Sequence, residues 1–166
     1  MIYQDKLDQA KLDKYLNDKL PLKLKRLNPR KVDEMFHELH DEVFEEIDCM
    51  ECGNCCKTTS PVITDKDIRR LAKHFRVKET KFIDQYIRTD TDGDYVFNAA
   101  PCPFLMEDNG CMVYEYRPNA CREYPHTDRR KMTQILDLTV KNTLICPAVA
   151  EITRKIRKGL KQKSEK

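Results

Sequence analysis

Residues 49–57 read CMECGNCCK: four cysteines in eight positions, Cys49, Cys52, Cys55 and Cys56, the last two adjacent. Adjacent Cα atoms lie about 3.8 Å apart, inside the usual disulfide minimum of about 4.4 Å, so a Cys55–Cys56 bridge would be strained. The C-x2-C-x2-C spacing instead sets thiols one helical turn apart, where their sulfurs can converge. Four more cysteines follow, Cys102, Cys111, Cys121 and Cys146, spaced C-x8-C-x9-C-x24-C. One ion takes four thiolates. Eight thiols therefore allow two mononuclear sites, one polynuclear site, or a smaller ligand set with the remaining sulfurs outside it.

The rest of the chain is highly charged. Of 166 residues, 36% are Asp, Glu, Lys or Arg and 40% are hydrophobic. A chain of this length buries roughly 70% of its unfolded surface, so it can build a core without needing a metal merely to fold. No apolar run approaches the roughly 18 residues of a membrane span. The start, MIYQDKLDQAKLDKYLNDK, lacks the apolar stretch of a secretory leader. The expectation is a cytoplasmic protein with no membrane partner, in a reducing compartment where cysteines serve as ligands or catalysts rather than as disulfides. Net charge is +3, and residues 154–166 carry seven Lys/Arg against one Glu. That tail has no interleaved aromatics, so it reads as a charged, fraying helix end, and nucleic acid is a disfavoured partner.

Periodicity predicts a mainly α fold with a small β-hairpin, a single domain organised around a cysteine-rich metal centre. A charged helix is predicted over 5–20, stopped by Pro21. A second, from about Pro29 to Asp48, carries the stripe Val32, Phe36, Leu39, Val43 and Ile47 and delivers the chain into Cys49. Thr64 with Asp67 predicts a capping box. YVFN (95–98) reads as a strand, and CPFLMEDNGCMVY (102–114) as a hairpin turning at Asn109-Gly110. Pro147 predicts the start of the last helix. Three stretches of one compact domain follow: N-terminal helices at 1–48, a cysteine-cluster metal-binding region at 49–147, and a C-terminal helix with its basic tail at 148–166. DTDGD (90–94) places its glycine at the wrong position for a calcium-binding loop and reads as a turn. His37 and His40, with Glu34, read as a solvated or boundary face rather than a second metal site.

Soft thiolates suit zinc and iron–sulfur clusters alike. CMECGNC has the first two spacings of a ferredoxin run but not the third. The candidate metal ligands are Cys49, Cys52, Cys55, Cys56, Cys102, Cys111, Cys121 and Cys146. The cofactor is zinc or iron, with an iron–sulfur cluster among the forms iron would take. Arg117 and Arg122 flank Cys121 and would offset the negative charge of a tetrathiolate site, or bind an anionic group. Tyr124 would cap the centre or pack beside it.

CMECGNCCK, then CPFL, then GCMVYEYRPNACREYP, then a lone CP resembles the zinc- or iron-chelating cysteine-cluster family of YkgJ type, whose CxxCxxCC pattern Cys49, Cys52, Cys55 and Cys56 match in full. The resemblance spans about residues 49–147 and implies metal chelation. Larger members resemble flagellin lysine N-methylases, so an iron–sulfur or zinc enzyme, lysine N-methyltransferase-like, is the alternative. A nucleic-acid accessory using the basic tail is a further one. No Gly-rich methyl-donor loop stands in this chain, and no catalytic acid–base pair stands out.

Overall fold

The computed structural model describes residues 2–164. In chain order the helices are α1 (Gln4–Leu12), α2 (Lys14–Asp18), α3 (Leu20–Leu24), α4 (Pro29–Glu46), α5 (Cys49–Cys52), α6 (Asn54–Thr58), α7 (Asp65–Phe75), α8 (Glu79–Tyr86), α9 (Asn119–Glu123), α10 (Leu136–Asn142) and α11 (Pro147–Ser164). Two short strands, β1 (Ile87–Thr89) and β2 (Tyr95–Phe97), pair antiparallel with Arg88 opposite Val96. The mainly helical class with a small β element is as expected. Backbone contacts group the chain into two compact units, Met1–Cys52 with Pro125–Lys166, and Gly53–Tyr124.

In the first unit α11 packs against α4 and α1. The predicted α4 stripe is what it buries: Val32, Phe36, Val43 and, just past its end, Ile47. Asn28 caps α4, its side chain accepting the Arg30 N–H at 2.9 Å, with Pro29 in the first turn where a missing N–H costs nothing. The helix expected over 5–20 is broken into α1 and α2 at Asp13, whose carboxylate pairs with Arg157 of α11. Nor does Pro21 end helical structure. It sits in the first turn of α3, the position where proline is tolerated. One face of α4 also fastens the chain at 127–132. Asp33 accepts the Lys131 and Met132 N–H groups, both at 2.8 Å. His37 Nε2 donates to the Arg129 carbonyl at 2.9 Å, and His40 Nδ1 meets Thr127 Oγ1 at 2.8 Å. These boundary histidines are therefore structural.

The second unit is built on an aromatic core. Phe104 lies 5.5 Å from Phe75, 5.0 Å from Tyr86 and 5.3 Å from Phe97 between ring centroids. Ile68, Leu71 and Phe82 complete it. Thr64 caps α7 with the predicted reciprocal box to Asp67. The regular hairpin is β1–β2, turning at Asp90–Asp94, where Asp90 Oδ1 accepts the N–H groups of Asp92 and Asp94. The CPFLMEDNGCMVY stretch keeps its turn at Asn109-Gly110 but makes a single bridge, Leu105 to Cys111. Two bonds flank that bridge: the Met106 N–H donates to the Gly110 carbonyl at 2.8 Å and the Met112 N–H to the Phe104 carbonyl at 2.9 Å.

Phe104 ties the thiol-bearing loop to this core. Phe104→Ala is expected to cost about 3–5 kcal/mol, read as a lower urea midpoint than the wild type at unchanged pH.

Candidate metal centre

The CxxCxxCC run is shared between the two units: Cys49 and Cys52 belong to the first, Cys55 and Cys56 to the second. The break between them is Gly53, whose left-handed φ of +57° ends α5 and starts α6. A Cβ there would stand 2.9 Å from Asn109 Oδ1. Conformation and space both favour glycine at this point.

In the first unit Asp48 opens α5. Its Oδ1 accepts the Met50 N–H at 2.7 Å, and its carbonyl accepts the Cys52 N–H at 3.1 Å. Tyr3 reaches the same segment, donating to Glu51 Oε2 at 3.0 Å. Cys49 is exposed and Cys52 buried. Cys146 stands one residue before α11, its N–H bonded to the Asn142 carbonyl at 2.8 Å. Burial pushes the Cys146 thiol up to about 12. The Val149 and Ala148 amides at the start of α11 donate to its sulfur and oppose that shift, while Cys49 and Cys52 are close enough to add to it. Cys146 therefore lies within electrostatic reach of Cys49 and Cys52.

The second unit gathers the other five from four separate places. The Cys102 N–H donates to the Cys56 carbonyl at 2.8 Å. The Asn109-Gly110 turn returns the chain so that Cys111 bridges to Leu105, three residues past Cys102. Cys121 rides on α9, which is held from α7. Asp67 Oδ1 accepts the Asn119 N–H at 3.1 Å, and Arg70 Nη2 donates to the Arg117 carbonyl at 2.8 Å. Arg70 Nη2 also pairs with Asp67 Oδ1 at 2.5 Å. Burial pushes Cys102 up to about 11 and Cys121 to about 12, and also raises Cys111. Cys56, Cys102 and Cys111 each add like-charge repulsion at Cys121, and Cys56 and Cys111 add it at Cys102. Every pair among these four is near enough for one thiolate's charge to be felt at the other. Cys56 itself is held down to about 7, mainly because the Cys55 thiol donates to it, with Lys57 nearby.

The predicted arginines sit differently. Arg117 lies 3.8 Å over the Tyr114 ring, and its charge is felt by both Cys111 and Cys121. Arg122 turns to the backbone, donating to the carbonyls of Arg117 at 3.1 Å and Glu115 at 2.5 Å. Tyr124 is half-buried at the end of α9. Sequence reading found Asp67 only as a capping residue and missed Arg70. The spacing Asp67–Arg70, one helical turn, was the available signal for a pair, but nothing local pointed to their grip on α9.

Among the described residues, no three Cys, His, Asp or Glu side chains converge closely enough to clasp an ion as they stand. The donor chemistry nevertheless fits one. Desolvation and mutual repulsion make these thiols resist ionisation, and a soft divalent cation would offset both.

Residues 48–147 match the family described as "CxxCxxCC: Putative zinc- or iron-chelating domain". The match covers more than half of the chain, so this protein belongs to that family. No curated protein and no solved structure matches it. Among the described residues, no helix is long and apolar enough to cross a membrane.

Two tests follow. Gly53→Ala is expected to cost about 1–3 kcal/mol, because a side chain there must hold a left-handed backbone; thermal unfolding would register it. Asp67→Asn is expected to cost about 1.5–3 kcal/mol. Burial alone would raise Asp67, but the Thr64 side chain and amide, Arg70 and the Asn119 amide outweigh it and hold its carboxyl below the ordinary value. The folded pKa is thus below the unfolded one. Its contribution is full above about pH 4 and lost as pH falls through the folded value. The gap between wild type and Asp67→Asn should therefore narrow in urea titrations below about pH 4.

Proposed function

We propose that this protein is a thiolate chelator of zinc or iron with two centres, one in each unit. The carrying observation is that Cys56, Cys102, Cys111 and Cys121, all half-buried in the second unit, lie within electrostatic reach of one another. Four thiolates are the complement of a closed structural site. In this reading Cys55 lies outside the ligand set and donates to the Cys56 sulfur, and Arg117 offsets the charge of the loaded centre. Cys49, Cys52 and Cys146 make the second ligand group, with the first amides of α11 supporting the Cys146 sulfur. A closed tetrathiolate site contributes about 10–16 kcal/mol of apparent binding free energy, which is of the order of a whole domain's stability. Metal would therefore order the 102–121 loops around the four sulfurs.

The test is elemental analysis with an ultraviolet–visible spectrum on protein purified without oxygen. Two ions per chain are expected. Cys121→Ser should remove one and Cys146→Ser the other, while Cys55→Ser keeps both. Zinc leaves the sample colourless, whereas iron with acid-labile sulfide absorbs in the visible. Folded protein that carries neither metal after loading would refute chelation. Loss of all metal on either single substitution would refute the division into two centres.

A further inference from the structure

In the first unit the fold brings together two cationic segments that lie about a hundred residues apart in sequence. One, Arg26 to Lys31, joins α3 to α4 and enters the first turn of α4. The other is Arg129 to Lys131. Arg30, Asp33, His37 and His40 recur at i, i+3, i+7 and i+10, so they form one stripe of α4. The chain from Thr127 to Met132 lies along this stripe in reverse. Thr127 meets His40, the Arg129 carbonyl meets His37, and the Lys131 and Met132 N–H groups meet Asp33. Lys131 there holds a left-handed φ of +61°, a conformation a lysine keeps only where its surroundings fix it. The loop is thus pinned by main-chain bonds, and its charged side chains are left over.

Arg26, Arg30, Lys31, Arg129, Arg130 and Lys131 are all exposed. Among the described residues none of the six makes an ion pair. Asp33 is spent on its two main-chain donors. The exposed acids beside these cations in sequence are Glu34 and Asp128, which leaves six cations against two acids. Farther along α4, Glu38 and Asp41 are exposed and bound the cationic surface on that side. The groove between α1–α2 and α11 is different. Arg154 pairs there with Glu151, and Arg157 with Asp13, so its arginines are neutralised within the protein.

Exposed cations hold a small anion poorly, because water solvates both well. A polyanion differs, since each phosphate neutralised releases condensed counterions. From Arg30 to His37 the helix rises about 10 Å, a length over which a duplex carries about six charges. Four of the six cations are arginines, whose planar fork matches phosphate oxygens. The two segments carry no aromatic on which an unpaired base could stack, and their one large apolar side chain, Leu27, is half-buried. A protein partner would lack an apolar centre to bury here. We propose that this surface binds the phosphate backbone of a double-stranded nucleic acid without reading its sequence. The site is independent of the thiols and of the basic end of α11.

The experiment is fluorescence anisotropy of a labelled, mixed-sequence DNA duplex of about 20 base pairs, titrated with the full chain at about 50 and about 200 mM salt. Binding is expected near about 10 μM at the lower salt and about 100-fold weaker at the higher, the fall produced by about four neutralised phosphates. Arg129→Gln with Arg130→Gln should weaken binding about tenfold or more and reduce the salt slope by about two. Arg26→Gln with Lys31→Gln, on the other segment, should do the same, and it decides the matter if the first pair does not fold. Lys158→Gln with Lys161→Gln on α11 should change neither quantity. No binding at about 100 μM protein in the lower salt overturns the proposal. So does binding indifferent to the arginine pair, or binding lost with the α11 lysines instead. Tighter binding of poly-glutamate, or of vesicles containing phosphatidylserine, than of the duplex would also overturn it, by assigning the surface to an acidic protein or a membrane.

Discussion

Four half-buried sulfurs within electrostatic reach of one another face a choice. As thiols they are neutral and tolerated by the core. As thiolates they repel one another in a medium that screens poorly. The raised values at Cys102, Cys111 and Cys121 are the first state written into the protein. A divalent cation inverts the balance, because it turns mutual repulsion into shared attraction. The surrounding scaffold can be understood as whatever holds four sulfurs near that balance before an ion arrives.

That scaffold grips each thiol segment from a different element. Phe104 anchors the 102–111 loop in the aromatic core, and the Leu105–Cys111 bridge fixes its closing end. Asp67 and Arg70 of α7 hold α9 by main-chain hydrogen bonds. Asp67 does this with the carboxylate that also completes the capping box, its Oδ2 at Thr64 and its Oδ1 at Asn119 and Arg70. One fully buried acid therefore sets both where α7 begins and where Cys121 stands. Its four donors keep it ionised despite burial, which is the condition for a buried charge to help rather than harm.

The legible parts of this chain were those decided locally. The Thr64–Asp67 box, the α4 stripe, Pro147 opening α11 and the strand at Tyr95–Phe97 each depend on residues within a turn or two. The CxxCxxCC run likewise declared its chemistry outright. Division of the thiols was not legible, because it depends on pairings across long separations. Cys146 joins Cys49 and Cys52, about a hundred residues earlier in the chain, and nothing in a spacing of 24 after Cys121 says so. The Asn109-Gly110 signal specified a turn and delivered one, with a single bridge beyond it, because a turn signal does not fix how far the flanking strands pair. The break at Asp13 was hidden for the same reason as the thiol division. Its partner, Arg157, lies at the other end of the sequence.

α11 gives the first unit a further logic. Its opening amides face Cys146, and two turns later its side chains Arg154, Arg157, Lys158 and Lys161 line the groove. Eight residues of helix from Cys146 to Arg154 span about 12 Å. Lys155 to Glu42 at 2.6 Å and Arg157 to Asp13 anchor the helix. Thiolate sulfur is favoured at the positive, amide-bearing start of this helix. The basic residues that look like a loose tail in sequence are, up to Lys161, part of the wall of a defined cavity.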